Sequence, residues 1–355
     1  MEAVDYVIVG AGSAGCVLAS RLSQDAACEV ALLEAGGEDR VSAIHQPSLW
    51  PLLWDTADAW GYATSKQPGY AFRTIACPRG KVLGGSSSLN AMVYMRGAAQ
   101  DFDHWRELGN EGWGWSDVLP YFIRSEDQSR GSSSLHGTDG PLTVSDPDSS
   151  NKYSLAFVEA AVACGHRRNP DFNGEHLDGV GLYQRTIRDG RRCSTAVAFL
   201  RPAYERANLA VLTGARTLRV LLQGGKAIGV EYFREGQVQR LMARQEVIVS
   251  AGAIDSPKLL MLSGIGDAAQ LQAHGIAVRI ALAGVGAHLC DHPTARCSCK
   301  CDSRTCRRRR QTTRRPDSLC AARAATRNLT PTSSFTLFPS GCLGPPSTVG
   351  SAAWS

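Results

Sequence analysis

Residues 5–15 read DYVIVGAGSAG, and no other stretch limits the possible folds of this chain as sharply. Residues 6–9 form a short apolar run suited to a strand buried on both faces, and the run stops at Gly10. Gly10, Gly12 and Gly15 then stand at G-x-G-x-x-G spacing, and the apolar residues 17–22 predict a helix. Strand, glycine turn and helix in that order make a phosphate cradle. Gly10 permits the tight turn, Gly12 lets the backbone approach a pyrophosphate, and Gly15 lets helix and strand pack closely. The phosphates would face the free N–H groups at the positive end of the helix. With the intervening Ala11, Ser13 and Ala14, these are the candidate cofactor-binding residues of the first turn.

A second strand is predicted over residues 29–33 and leads to Glu34, with Ala35 beside it. Glu34 falls roughly 20 residues after the glycines, where an acid binds a ribose hydroxyl. The competing reading, a mere turn in some other α/β protein, is disfavoured by this context. The motif specifies a dinucleotide but does not choose between flavin and nicotinamide.

The 355 residues suffice for one large core or two moderate ones. No 18-residue apolar run exists, and the opening MEAVDYVIVG lacks the basic and apolar segments of a leader, so a cytoplasmic address without a membrane span is expected. The net charge of +5 is unevenly distributed: from Arg296 onward 11 basic residues face two acidic ones, whereas the preceding residues sum to −4. Of the 12 cysteines, seven lie at or after position 290. The other five are scattered, as reduced core thiols would be.

Further along, residues 46–70 carry Trp50, Leu52, Leu53, Trp54, Trp60 and Tyr62, which read as an ordered excursion needing burial. Residues 79–93, RGKVLGGSSSLNAMV, form a loop whose N–H groups are expected to be unusually free to face a ligand, against the alternative of a plain surface turn. His104, beside charged residues and ahead of a helix over 116–125 capped by Ser116, reads as an exposed or packing residue rather than a catalytic base. Residues 128–134 read as a flexible loop, 142–144 as a strand and 154–164 as a helix. Short strands follow over 209–212, 218–222, 227–233 and 246–250, and then a helix with Ser256 as N-cap and Pro257 at its first position.

Taken together, DYVIVGAGSAG with LLEAG, then RGKVLGGSSSLNAMVYMRG, then GAIDSPKLLMLSGIG at 252–266 make the chain resemble the glucose-methanol-choline (GMC) oxidoreductases, FAD-dependent alcohol oxidases and dehydrogenases. The likeness runs from about residue 5 to about residue 293 and leans towards choline dehydrogenases and related bacterial alcohol dehydrogenases. It implies an α/β fold: a Rossmann-like FAD-binding domain with a parallel sheet, in two parts over 1–134 and 203–293, and part of an α+β substrate domain over 135–202. It also implies that Gly10, Gly12 and Gly15 hold the FAD pyrophosphate and Glu34 the adenosine ribose. Val82, Gly85, Asn90, Ala91, Met92 and Val93 would line the flavin, with amides near its pyrimidine edge, where dipoles stabilise the charge that develops during hydride transfer. An adenine contact falls at Thr217, through backbone groups. Where some relatives carry a histidine bonded covalently to FAD, this chain has Leu89, so noncovalent binding is expected. Asn173, His176, Gln184 and Arg192 are candidates for substrate contact, weighed against plain hydrogen-bonding roles.

The resemblance stops near Thr294. Cys297, Cys299 and Cys301, the arginines at 307–310 and a Thr/Ser/Pro/Ala-rich remainder show no sustained periodicity, as a shift of reading frame would produce. Zinc is disfavoured because C-x-C-x-C lacks paired C-x2-C spacing and the tail has no histidine, and nucleic acid because no aromatics interleave the arginines. In the family the base that takes the alcohol proton is a histidine near the C-terminus, with a second histidine or asparagine beside it. The last histidine here is His292, in an earlier motif, so no catalytic residue is assigned and an inactive, truncated form is expected. The implied partner is a small-molecule alcohol of the choline-like kind, with the electron acceptor open. A noncatalytic FAD-binding fragment is the alternative, and a nicotinamide-dependent dehydrogenase follows only if the later motifs are coincidental.

Overall fold

A computed structural model describes residues 2–148 and 151–291 of the chain. The tail from Thr294, with its cysteines and arginines, lies outside the described residues.

The organising layer is a six-stranded sheet. In chain order its strands are β1 (Ala3–Val9), β2 (Val30–Leu33), β3 (Leu209–Leu212), β4 (Arg216–Gln223), β5 (Lys226–Arg234) and β6 (Gln237–Val249). Their spatial order is β4-β5-β6-β1-β2-β3. The pairings β6/β1, β1/β2 and β2/β3 are parallel, while β4/β5 and β5/β6 are antiparallel. The expected α/β class with a largely parallel core is therefore present, extended on one side by a three-strand meander. That meander follows from sequence, since Gly224 and Gly225 both adopt positive φ and turn β4 directly into β5.

β1 occupies the middle of the sheet, and its composition is the reason it can. Val7, Ile8 and Val9 are all buried, yet they alternate: Val7 and Val9 pack with Ala31, Leu33, Val230 and Leu259, whereas Ile8 packs with Val30, Leu32, Ala19 and Leu200. A strand covered on both faces has no polar side, which explains the unbroken apolar run. Helix α1 (Ser13–Leu22) closes the second face through Cys16 and Ala19.

Close contacts divide the chain into two compact units. One comprises Met1–Ser65, Ala76–Asp146 and Gln184–Leu289, and contains the sheet. The other takes in Lys66–Ile75 and Pro147–Tyr183. In the second, helix Lys152–Ala163 is capped by Asn151, whose side chain accepts from Tyr153 N, and Asn169 Nδ2 donates to the carbonyls of His176 and Asp178.

Several local expectations are corrected. Helix α2 (Gly252–Leu262) begins four residues before Ser256, so Pro257 lies inside it rather than at its first position. Packing of Leu259 on the sheet outweighs the loss of one backbone donor. The helix placed at 116–125 runs Trp115–Ser125, with Gly114 rather than Ser116 at its N-cap and the Asp117 carboxylate accepting from Gly114 N. In 46–70, Leu53 is buried and Trp50, Trp60 and Tyr62 are half-buried, but Leu52 is 63% exposed and Trp54 43%, so the excursion is only partly covered. Residues Glu126–Gln128 form a strand paired in parallel with Leu142–Val144, so the segment predicted as loop starts with ordered backbone.

The joint between β1 and α1 leaves no room for a methyl group at one position. A Cβ on Gly15 would stand 1.9 Å from the carbonyl oxygen of Gly10. Gly15→Ala therefore forces a backbone shift and lowers stability by about 3 kcal/mol, measurable as a fall in the urea midpoint.

Candidate functional site

The site assembles where β1 ends. Gly10 takes a φ of +94°, and a Cβ there would stand 2.8 Å from the Ser250 carbonyl oxygen. Ser250 Oγ donates to the carbonyls of Val9 and Gly10, so the end of β6 fixes the turn. Gly12 is the N-cap of α1, with extended backbone at φ −76°. Its case differs from that of its neighbours, because a Cβ there would meet nothing nearer than the Ser250 carbonyl oxygen at 4.0 Å. The protein itself does not require glycine at position 12. Ser13 and Ala14 are exposed, no acidic residue occupies the first turn, and the first amides of the helix have no partners one turn back. An anion bound here meets donors and no competing carboxylate.

Glu34, at the end of β2, is buried. Its Oε2 accepts from Ala11 N at 2.9 Å and its Oε1 from Gly36 N at 2.8 Å, which leaves each oxygen a lone pair for a further donor such as a hydroxyl. Burial pushes its pKa up to about 7, against the lowering effect of the Gly36 and Ala11 amides and of Lys81. The other side of Ala11 is equally committed, since its carbonyl accepts from Gly84 N at 2.8 Å. Ala11 thus joins the glycine turn, the acid and the Gly-Gly-Ser loop. The loop approaches closely: a Cβ on Gly85 would lie 2.7 Å from Gly12 Cα.

Within that loop the expectation of free N–H groups needs correction. Residues Gly85–Ser88 form a 3-10 turn, and the amides of Gly84, Gly85, Ser87, Leu89 and Asn90 all donate to nearby carbonyls. The serines brace the loop as well: Ser87 Oγ donates to the Gly84 carbonyl and meets Thr195 Oγ1, and Ser88 Oγ donates to the Leu83 carbonyl. Val82 and Leu89 are buried together with Ile44 and Leu53 in a small core. Asn90 is exposed, Ala91 and Val93 are half-buried, and Met92 is buried with a left-handed φ of +59°. Ala35 is half-buried beside Glu34.

Thr217 lies on β4 opposite Tyr232, and its Oγ1 is a buried polar atom with no hydrogen-bond partner. His104 is exposed, its ring 3.6 Å from the Glu107 carboxylate. Of the candidate substrate contacts, Asn173 and His176 belong to the smaller unit, while Gln184 and Arg192 are buried in the larger. Gln184 exchanges amide hydrogen bonds with Gln128, part of a buried network with Glu126, Arg96 and His136. Sequence reading missed the stack of Trp60 on Tyr62, with rings 5.6 Å apart and nearly parallel. Tyr62 OH donates to Asp255, and Lys81 Nζ sits 4.9 Å from the Trp60 ring. Only the need to bury these aromatics hinted at it.

A parallel strand, a glycine turn capping a helix, and an acid at the tip of the next strand define a dinucleotide-binding α/β protein. The GMC oxidoreductase profile matches residues 4–294, and the chain belongs to that family. It is 47% identical over 290 residues to oxygen-dependent choline dehydrogenase of Rhizobium rhizogenes, an alignment covering 81% of this chain and 52% of that protein. It is 46% identical over 305 residues to alcohol dehydrogenase [acceptor] of Pseudomonas putida, covering 85% and 55% respectively. The chain thus spans about half the length of the curated relatives it matches. Pyridoxine 4-oxidase from Mesorbium loti superposes with a TM-score of 0.76 at 40% identity, over 78% of this chain and 55% of that one. No helix among the described residues is long and apolar enough to cross a membrane.

The family's cofactor is FAD, and the residues present fit it: Gly12 leaves space on its outer side, and Glu34 retains acceptor capacity. Gly12→Ala is expected to leave the urea midpoint of the FAD-free chain unchanged but to weaken FAD binding by about 100-fold, the equivalent of roughly 2.7 kcal/mol, in a fluorescence titration. A carboxylate whose folded pKa is raised binds its proton more tightly folded than unfolded, so stability is lost as pH rises. In the FAD-free chain that loss falls between about pH 4.5 and about pH 7, and Glu34→Gln removes the Glu34 share of the slope in urea midpoints taken across the window.

Proposed function

We propose that this chain binds one FAD noncovalently and that the whole protein oxidises a primary alcohol to an aldehyde. The observation that carries the reading is the junction at Ala11, which brings the turn of Gly10, Gly12 and Gly15, the Glu34 carboxylate and the loop after Gly84 to one place. In this assignment Gly12, Ser13 and Ala14 present the first amides of α1 to the pyrophosphate. Glu34 accepts from the ribose hydroxyls, with Ala35 beside it. The backbone of Thr217 meets the adenine. Val82, Gly85, Asn90, Ala91, Met92 and Val93 border the flavin. When bound, FAD supplies the hydride acceptor. Residues 1–134 and 203–293 form the cofactor-binding part in this reading, and 135–202 contribute to the substrate side.

The names of the relatives support an alcohol, choline-like or aromatic, as the donor, and leave the acceptor open. An alcohol also needs a base for its hydroxyl proton. The two buried histidines among the described residues are committed elsewhere: His45 Nε2 lies 2.7 Å from the Asp39 carbonyl, and His136 Nδ1 lies 2.9 Å from Glu126. Neither is assigned as the base, and we propose that this 355-residue form holds FAD without turning over alcohol. The buried thiols of Cys16 and Cys193, neither of them in a disulfide, suit a reducing, cytoplasmic setting.

Purified protein is expected to be yellow and to carry one FAD per chain. Acid precipitation releases the flavin into the supernatant, as Leu89 in place of an attachment residue requires. Anaerobic addition of choline or benzyl alcohol leaves the flavin absorbance unbleached. Colourless protein that takes up NAD rather than FAD would defeat the whole reading, and bleaching by alcohol would defeat its last part.

A further inference from the structure

Arg192 is the largest fully buried side chain among the described residues, 2% exposed. Its Nε donates to the Ile44 carbonyl at 2.7 Å, and its Nη1 donates to the Ser87 carbonyl at 3.0 Å and to Asn90 Oδ1 at 2.9 Å. Its Nη2 has no hydrogen-bond partner. No carboxylate among the described residues offsets the charge, and burial alone pulls the pKa down to about 10. Removing a cation from water without a counter-ion is costly, and an apolar side chain would fill the same space at lower cost. Packing does not account for the residue.

Its partners do. Ser87 and Asn90 belong to the loop assigned above to the flavin, and Asn90 Oδ1 also accepts from Met92 N at 3.0 Å. Met92 holds a left-handed backbone, uncommon for a side chain of that kind, so this second hydrogen bond braces a conformation that needs bracing. Two donors on Oδ1 also decide which way round the Asn90 amide stands. Its oxygen is the engaged end, which leaves Nδ2 as the donor that an exposed residue can offer a ligand.

We infer that Arg192 is a positioning residue for the cofactor. It pins Asn90 by its oxygen so that Asn90 Nδ2 donates to the flavin edge, and its uncompensated charge beneath the loop favours the anionic, reduced form of FAD. The inference rests on the FAD reading above and adds a role to a residue that reading did not use.

The full 355-residue chain tests it in four variants: Arg192→Met, Arg192→Lys, Asn90→Ala and the Arg192→Met/Asn90→Ala double. FAD affinity is read by fluorescence titration, the midpoint potential of the bound flavin against a reference dye, and FAD-free stability by thermal melting. Arg192→Met should weaken FAD binding about tenfold and reduce the preference for reduced over oxidised FAD about tenfold. Arg192→Lys keeps the charge and restores the potential, but cannot reach three acceptors and so recovers only part of the affinity. The double variant should bind no worse than the weaker single one, because both changes break the same link. If Arg192 merely staples the core, Arg192→Met lowers the melting temperature and leaves the potential at the wild-type value, and that result overturns the inference. Should Arg192→Met fail to fold, Asn90→Ala, at an exposed position, decides: wild-type FAD affinity there also overturns it. A wild-type chain that binds no FAD removes the parent reading and this one together, whereas loss of the variant effects with wild-type binding intact removes only this one.

Discussion

Everything at the functional end of the sheet depends on how the peptide units of Ala11 are held. The N–H goes to a buried carboxylate from one part of the chain and the carbonyl receives an amide from another. Each hydrogen bond has a modest net worth, but leaving either group unmet in the interior would cost the full penalty of desolvating it. The turn, the end of β2 and the Gly84 loop are therefore obliged to form together. Glu34 is in this sense both scaffold and site. The same oxygens that close the turn retain capacity for a ligand, and the high pKa records how dry their surroundings are.

The glycines separate into two kinds once their neighbours are known. Gly10, Gly15 and Gly85 are required by the protein, because a side chain there would strike backbone that cannot yield. Gly12 is tolerated by the protein and, with FAD as the ligand, required by what the protein holds. A three-glycine motif read from sequence blends these causes. The distinction appears only when the space around each Cα is filled in.

The parts of the fold that could be read from sequence were those in which local pattern and tertiary role coincide. The run 6–9 had to be buried on both sides, and Glu34 had to follow the second strand, because both are consequences of period and spacing. Where side chains reach across the chain, reading failed. The serines of 86–88 looked like marks of an open loop, but the hydroxyls of Ser87 and Ser88 lock it shut against Gly84, Leu83 and Thr195. Pro257 looked like the start of a helix that in fact begins at Gly252, since packing on the sheet overrides one missing donor. Arg191 and Arg192 are identical neighbours in sequence, one exposed and the other buried, and nothing but the face of a two-residue strand tells them apart.

The central place of β1 has a consequence for how the chain is made. One of its partners, β2, follows within a few tens of residues, but the other, β6, is not complete until Val249. The buried apolar run at the end of β1 must therefore wait, half paired, until β6 has left the ribosome. Pairings over such sequence distances close slowly and leave sticky intermediates exposed meanwhile. Synthesis of this chain should lean on chaperones that bind short hydrophobic segments as they emerge, with the apolar run 6–9 among their clients.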